Sequence, residues 1–217
     1  MTRPFFALSI VIGLAVSESF GGPVSDLSPE LAKESEETSW EYSLSIATYL
    51  AQHARDYANP NFTADRDWLH LEARYQYEAI KTGSIWLGYN FSFGEKLAVE
   101  ATPMVGGVFG DITGVAPGYT ISASYKSIEF FTQGEYFFDS AIHAGDFLYT
   151  WSELSYAPAD WFRLGLVVDR TKALGSSIDI RRGPLVGFKY KKVDLTTYWL
   201  SPGTRDGTFI FSVTVNF

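Results

Sequence analysis

The sequence predicts an all-β protein, a transmembrane antiparallel β-barrel of twelve strands, with ten as the alternative count. Three observations predict it. From Trp40 to Phe217 apolar and polar residues alternate with a period close to two, the spacing that sends successive side chains to opposite faces of a strand. The last ten residues place Phe209, Phe211, Val213, Val215 and Phe217 on one face and Thr208, Ile210, Ser212, Thr214 and Asn216 on the other. That second face is too polar for a strand buried on both sides and suits one with lipid on one side and water on the other. Finally, aromatic residues make up 17% of the chain while its mean hydropathy is only -0.01, as expected when strands divide their residues between lipid and a wet interior.

A terminal amphipathic strand ending in Phe217 resembles the C-terminal strand of Gram-negative outer-membrane β-barrel proteins. The resemblance covers these ten residues and points to no particular subfamily. It implies a place in the cell outer membrane, contact with outer-membrane lipid, and recognition of the C-terminal strand by the barrel-assembly machinery. The N-terminus agrees with export. Met1-Thr2-Arg3 is basic, Pro4 to Val16 is apolar, and Ala15-Val16-Ser17 has the small-x-small pattern of a cleavage site, so residues 1–17 read as a signal peptide too short to span a bilayer. Residues 18–39 are polar and acidic and read as a periplasmic extension, in which Ser28-Pro29 has the form of a helix N-cap and first helical residue. Residues 40–217 form the barrel.

The strands follow in order. Trp40, Tyr42, Leu44, Ile46 and Leu50 oppose Glu41, Ser43, Ser45 and Ala47 in the first. Asp56 to Ala64 is weaker because it contains Pro60, which a strand accepts at a bulge or poorly paired position. The clearest alternation sets Leu69, Leu71, Ala73, Tyr75 and Tyr77 against His70, Glu72, Arg74, Gln76 and Glu78. Further strands begin near Ile85, Leu97, Tyr119, Ser127, Asp146, Phe162, Val186 and Val193, before the terminal one. The Asp146 to Tyr156 strand is irregular, because Trp151 and Glu153 fall on one face.

Bacterial single-chain barrels close with an even number of strands, which favours twelve. With both termini in the periplasm, Asp65-Arg66-Asp67-Trp68, Gly94-Glu95-Lys96, Tyr125-Lys126-Ser127, Asp160-Trp161 and Lys191-Lys192 become periplasmic turns. The longer connections, Gly107 to Gly118, Asp139 to Gly145, Lys172 to Ser177 and Ser201 to Gly207, then lie outside the cell.

The alternation sends His70, Glu72, Arg74, Glu100, Glu129, Glu135, Arg163, Asp169, Lys189 and Asp194 into the lumen, where they would line a narrow water path or pair into a network that seals it. Lys126, Glu153 and Arg181 belong to the same inward set. A non-enzymatic outer-membrane protein, either a passive channel or a structural barrel, is the function these residues predict. The alternative is a lipid-modifying enzyme at the extracellular rim. For it the chain offers only His53, His70 and His143 as general bases, with Asp139 and His143 the one acid-base pairing near that rim. A soluble lipocalin-like binder would need the Phe209 to Phe217 face buried against protein.

No cofactor or metal is expected: Asp65-Arg66-Asp67 lacks the ordered ligands of a calcium loop, and Gly106-Gly107-Val108-Phe109-Gly110 lacks the Lys and helix of a phosphate cradle. The chain has no Cys, which excludes a lipoprotein anchor and disulfides. A net charge of -8 with no basic face argues against nucleic acid as a partner.

Overall fold

The structure, a computed structural model, describes residues 39–141 and 145–217. Residues 1–38, which include the stretch read as a signal peptide and most of the expected extension, and His143 lie outside the described residues. The described chain is an antiparallel meander of β1 (Glu41–Ala51), β2 (Tyr57–Arg66), β3 (Leu69–Tyr75), β4 (Thr82–Tyr89), β5 (Phe91–Phe93), β6 (Ala98–Gly110), β7 (Gly114–Tyr125), β8 (Ile128–Asp139), β9 (Phe147–Ala159), β10 (Phe162–Ala173), β11 (Asp179–Tyr190), β12 (Val193–Leu200) and β13 (Thr208–Asn216).

Two pairings close it. β1 pairs with β13, and β4 pairs with β6. β5 continues β4 past Asn90 in the same register on β6, since Gly88 faces Met104 and Phe91 faces Ala101. The thirteen labelled segments therefore make twelve walls, the even count that parity favours. Closure leaves no unpaired edge, which a bilayer would penalise because it offers no water to free N–H and C=O groups. The seam is completed at the last residue: Tyr42 and Phe217 exchange backbone hydrogen bonds at 3.1 and 2.9 Å, and their rings stack at 5.9 Å.

Four of the five turns at the end that the sequence assigns to the periplasm are two residues long, and three of these, Asp67-Trp68, Lys126-Ser127 and Lys191-Lys192, begin with a residue at φ between 53° and 55°. Such tight hairpins need a left-handed residue at that place to match the strand twist. Lys126 thus occupies a turn, with its ammonium 5.3 Å from the Tyr125 ring, and not an inward wall position. A second correction concerns Gly107 to Gly118. These residues do not form a long outer loop: β6 and β7 run through them and are joined by residues 111–113 alone. Gly106 and Gly118 serve packing, because Trp86 lies against this hairpin and a Cβ on Gly106 would enter the indole ring, while one on Gly118 would sit 3.0 Å from it. Pro60 keeps register with Ile46 on β1, and the ladder to β3 starts one residue later at Asn61.

The outward face is apolar and exposed, including Ile85, Leu87, Leu154, Leu166 and Leu195. Aromatics crowd its periplasmic end: Trp68 stacks on Tyr89, and Trp161 on Phe188. This is the belt expected where a barrel meets lipid headgroups. Phe209, Phe211, Val213 and Phe217 are exposed on this face, so the burial that a soluble binder requires is not met.

Candidate functional site: the barrel lumen

Each of the twelve walls contributes buried side chains to the interior: Tyr49, Asn61, Glu72, Trp86, Met104, Ala116, Glu135, Trp151, Val167, Leu185, Tyr198 and Ile210. A water-filled pore would leave its lining accessible. Here two networks and an aromatic cluster fill the space instead.

The first network is centred on Arg74 of β3. Its Nη2 donates to Glu72 Oε2 at 2.6 Å and its Nη1 to Glu135 Oε2 on β8 at 3.0 Å. The guanidinium carbon lies 4.2 Å from the ring centroids of both Tyr77 and Trp86, a desolvated cation–π contact. The three charged side chains are 3% (Arg74), 0% (Glu72) and 2% (Glu135) exposed. Asn61 Nδ2 donates to the other Glu72 oxygen at 2.6 Å. Trp86 Nε1 donates to Ser84 Oγ, which in turn donates to Glu78 Oε1 at 2.5 Å. Glu78 stands in the turn between β3 and β4, and burial raises its carboxyl above the ordinary carboxylate range, against the opposing pull of the Arg74 charge. Toward the periplasm, His70 Nδ1 meets Asp65 Oδ1 at 2.7 Å and His70 Nε2 lies 3.6 Å from Glu72 Oε2. Asn90 also donates to Asp65 and accepts from Thr102.

The second network is centred on Glu153 of β9. Trp151 Nε1 and the Tyr198 hydroxyl donate to its Oε1 at 2.8 and 3.0 Å, and Arg163 Nη1 donates to Oε2 at 3.0 Å. Trp151 and Glu153 share a face because one satisfies the other, which explains the irregular pattern of that strand. Arg163 also reaches Thr196, which donates to Asp194. Arg181 pairs with Asp169 at 2.5 Å nearer the outer end. The aromatic cluster of Tyr49, Tyr77, Tyr149, Trp151 and Tyr198 packs between the networks.

The structure thus brings together His70, Glu72, Arg74 and Glu135, and separately Arg163 with Asp194. Asp169 pairs elsewhere, with Arg181. Glu100 and Glu129 stand near the periplasmic mouth, within 3.4 and 3.3 Å of Ser122 and Ser155 respectively. Lys189 and Asp194 face each other across β11 and β12. Reading by alternation alone passed over Trp86, Tyr77, Trp151 and Tyr198 as site residues. The signal was present in Gly106 and Gly118, small residues facing a large one, but only the strand pairing shows which large one. Of the histidines, His53 Nδ1 meets the backbone carbonyl of Arg205 at 2.9 Å. Asp139 binds the backbone N–H of Ala141, within its own loop.

No family model matches the chain, and no curated protein sequence matches it. Among solved structures, it is similar to the KdgM porin, with a TM-score of 0.57 at 10% identity over 81% of this chain and 99% of that one. A second structure, KdgM porin in complex with disordered oligogalacturonate, gives a TM-score of 0.55 at 10% identity over 81% and 98%. At this identity the likeness concerns the fold, which is that of outer-membrane β-barrel porins. The chain has the closed antiparallel β-barrel fold of these porins.

Proposed function

We propose that the protein is a passive, non-enzymatic outer-membrane channel of low conductance that rests closed and favours cations when open. The single observation that supports closure is the Glu72–Arg74–Glu135 bridge, three nearly inaccessible charged side chains linking β3 to β8 across the lumen. The composition of that bridge supports a conducting state. A purely structural filling is cheaper when apolar, because buried charges recover their desolvation cost only with full pairing. Here Glu72, Glu78 and Glu135 surround one guanidinium, and Glu78 Oε2 and Glu135 Oε1 find no hydrogen-bond partner among the described residues. Water entering the lumen would relieve that imbalance.

Carboxylates outweigh cations among the inward residues, which supports cation preference. KdgM has been solved with oligogalacturonate, a chain of sugar acids. This lumen would repel such a solute, so that ligand is not carried over. For the enzymatic alternative, His53 faces a backbone carbonyl and His70 lies between two carboxylates, neither of which makes a nucleophile. We also assign recognition by the assembly machinery to the C-terminal strand, on the pattern of Phe209 to Phe217.

The test is single-channel recording of refolded protein in planar bilayers, with heat-modifiable migration as the check of folding. The parent is expected to give rare, small openings. The Arg74→Ala/Glu135→Ala variant should give larger and longer-lived ones, with a reversal potential of cationic sign in a KCl gradient. A folded but silent variant would make the protein a structural barrel, and anion selectivity would overturn the reading of the carboxylates.

A further inference from the structure

The outward face carries a groove of about 320 Å3 at its periplasmic end, lined by Trp161, Phe188, Lys189, Tyr190, Val193 and Leu195. Its walls are fixed. Lys189 N–H donates to the Trp161 carbonyl at 2.9 Å, tying β11 to the β9–β10 turn, and Asn216 N–H donates to the Lys192 carbonyl at 2.9 Å, tying the β11–β12 turn to β13. Trp161 and Tyr190 are 61% and 73% exposed, and Trp161 stacks on Phe188 at 6.4 Å. The groove is therefore a rigid apolar slot opening toward the bilayer.

Its rim is basic. Lys191 and Lys192 form the adjoining turn, with Lys191 Nζ held 5.5 Å from the Tyr190 ring centroid. Lys189 faces Asp194 across β11 and β12, so the charges of the rim itself are the two turn lysines, 191 and 192, against Asp160 of the neighbouring turn. Lys191 also takes φ 54°, a backbone state that Gly or Asn adopts more cheaply. From that turn the side chain lies beside Tyr190, which is exposed at the lipid-facing end of β11.

We propose that this groove is a phospholipid site of the periplasmic leaflet: an acyl chain lies against Trp161, Phe188 and Leu195, and an anionic headgroup is held by Lys191 and Lys192. Charge complementarity selects the ligand, because an apolar slot alone accepts any lipid chain whereas a pair of ammonium groups at its mouth favours a net negative headgroup. The site is independent of whether the lumen conducts, so its failure and that of the channel reading are distinguishable.

The experiment measures quenching of tryptophan fluorescence by brominated lipids in refolded full-length protein, taking the difference between the parent and Trp161→Phe to isolate Trp161. Brominated phosphatidylglycerol diluted into phosphatidylcholine is expected to quench Trp161 as if enriched about thirty-fold over its bulk fraction, the scale set by two interfacial lysines. Lys191→Ala/Lys192→Ala should abolish the enrichment, and Lys126→Ala, which alters a similar Tyr–Lys turn elsewhere, should leave it intact. Equal quenching by both lipids in the parent would overturn the proposal. So would equal loss in the Lys126 variant, which would mark a general rim charge, or crosslinking through Tyr190 to a second barrel, which would make the groove a protein contact.

Discussion

Arg74 Nη1 and Glu135 Oε2 meet at 3.0 Å although their strands, β3 and β8, are separated around the barrel by the β4–β5 wall, β6 and β7. The bond is a chord of the barrel, and it makes the lumen an interior in the sense of a soluble core, with the same intolerance of unpaired charge.

That intolerance is asymmetric. Arg74→Met leaves Glu72 and Glu135 buried without their cation and should destabilise the barrel by about 3–5 kcal/mol. Glu135→Gln keeps an acceptor for Arg74 while removing one of the surplus carboxylates, and should leave stability within about 1 kcal/mol of the parent or raise it. Urea midpoints in detergent check both. Equal losses would mean that Glu135 carries full pairing after all.

Trp86 and Gly106 are one packing unit. Gly106→Val drives a side chain into the indole and should cost about 1–3 kcal/mol. In a Trp86→Ala background the same change should cost far less, a coupling that a double-mutant cycle reads directly. Additive effects would show that the ring does not rest on that glycine.

Glu78 predicts a pH dependence. Its carboxyl is raised by burial, so the folded state binds the proton more tightly than the unfolded chain. Stability from this group is fully present below the unfolded pKa and is lost as pH rises through the folded one. Glu78→Gln should remove that loss: parent and variant should unfold alike in acid, with the variant the more stable at alkaline pH. The difference in urea midpoint between pH 4 and pH 9 is the measurement, and a parent that gains stability with pH relative to the variant would reverse the sign.

Phe217 closes the seam by its backbone bonds to Tyr42 and by its ring. Phe217→Ala keeps the bonds and removes the stack, for an expected loss of about 0.5–1.5 kcal/mol. Deleting the residue removes both, and should slow refolding into lipid vesicles as well. Identical behaviour of the two would place the whole effect in the ring.

Much of this barrel is written in its sequence by itself. A period of two over most of the chain, the terminal Phe209 to Phe217 face, and turns such as Lys191-Lys192 favour twelve walls over ten and give most of their faces, because lipid outside and paired backbone inside leave a strand few alternatives; that β6 and β7 run through Gly107 to Gly118, and that Tyr77 turns inward, was not legible there. Sequence alone also places Glu72, Arg74, Glu135, Arg163 and Asp169 on inward positions, since inwardness is a local property of alternation. The tertiary structure decided which of them meet. Arg74 reaches Glu135 across three walls, Trp86 settles on the Gly106 hairpin, and Trp151 joins Tyr198 on Glu153. Those partners depend on closure, stagger and side-chain volume, which are properties of the whole barrel and of no single strand.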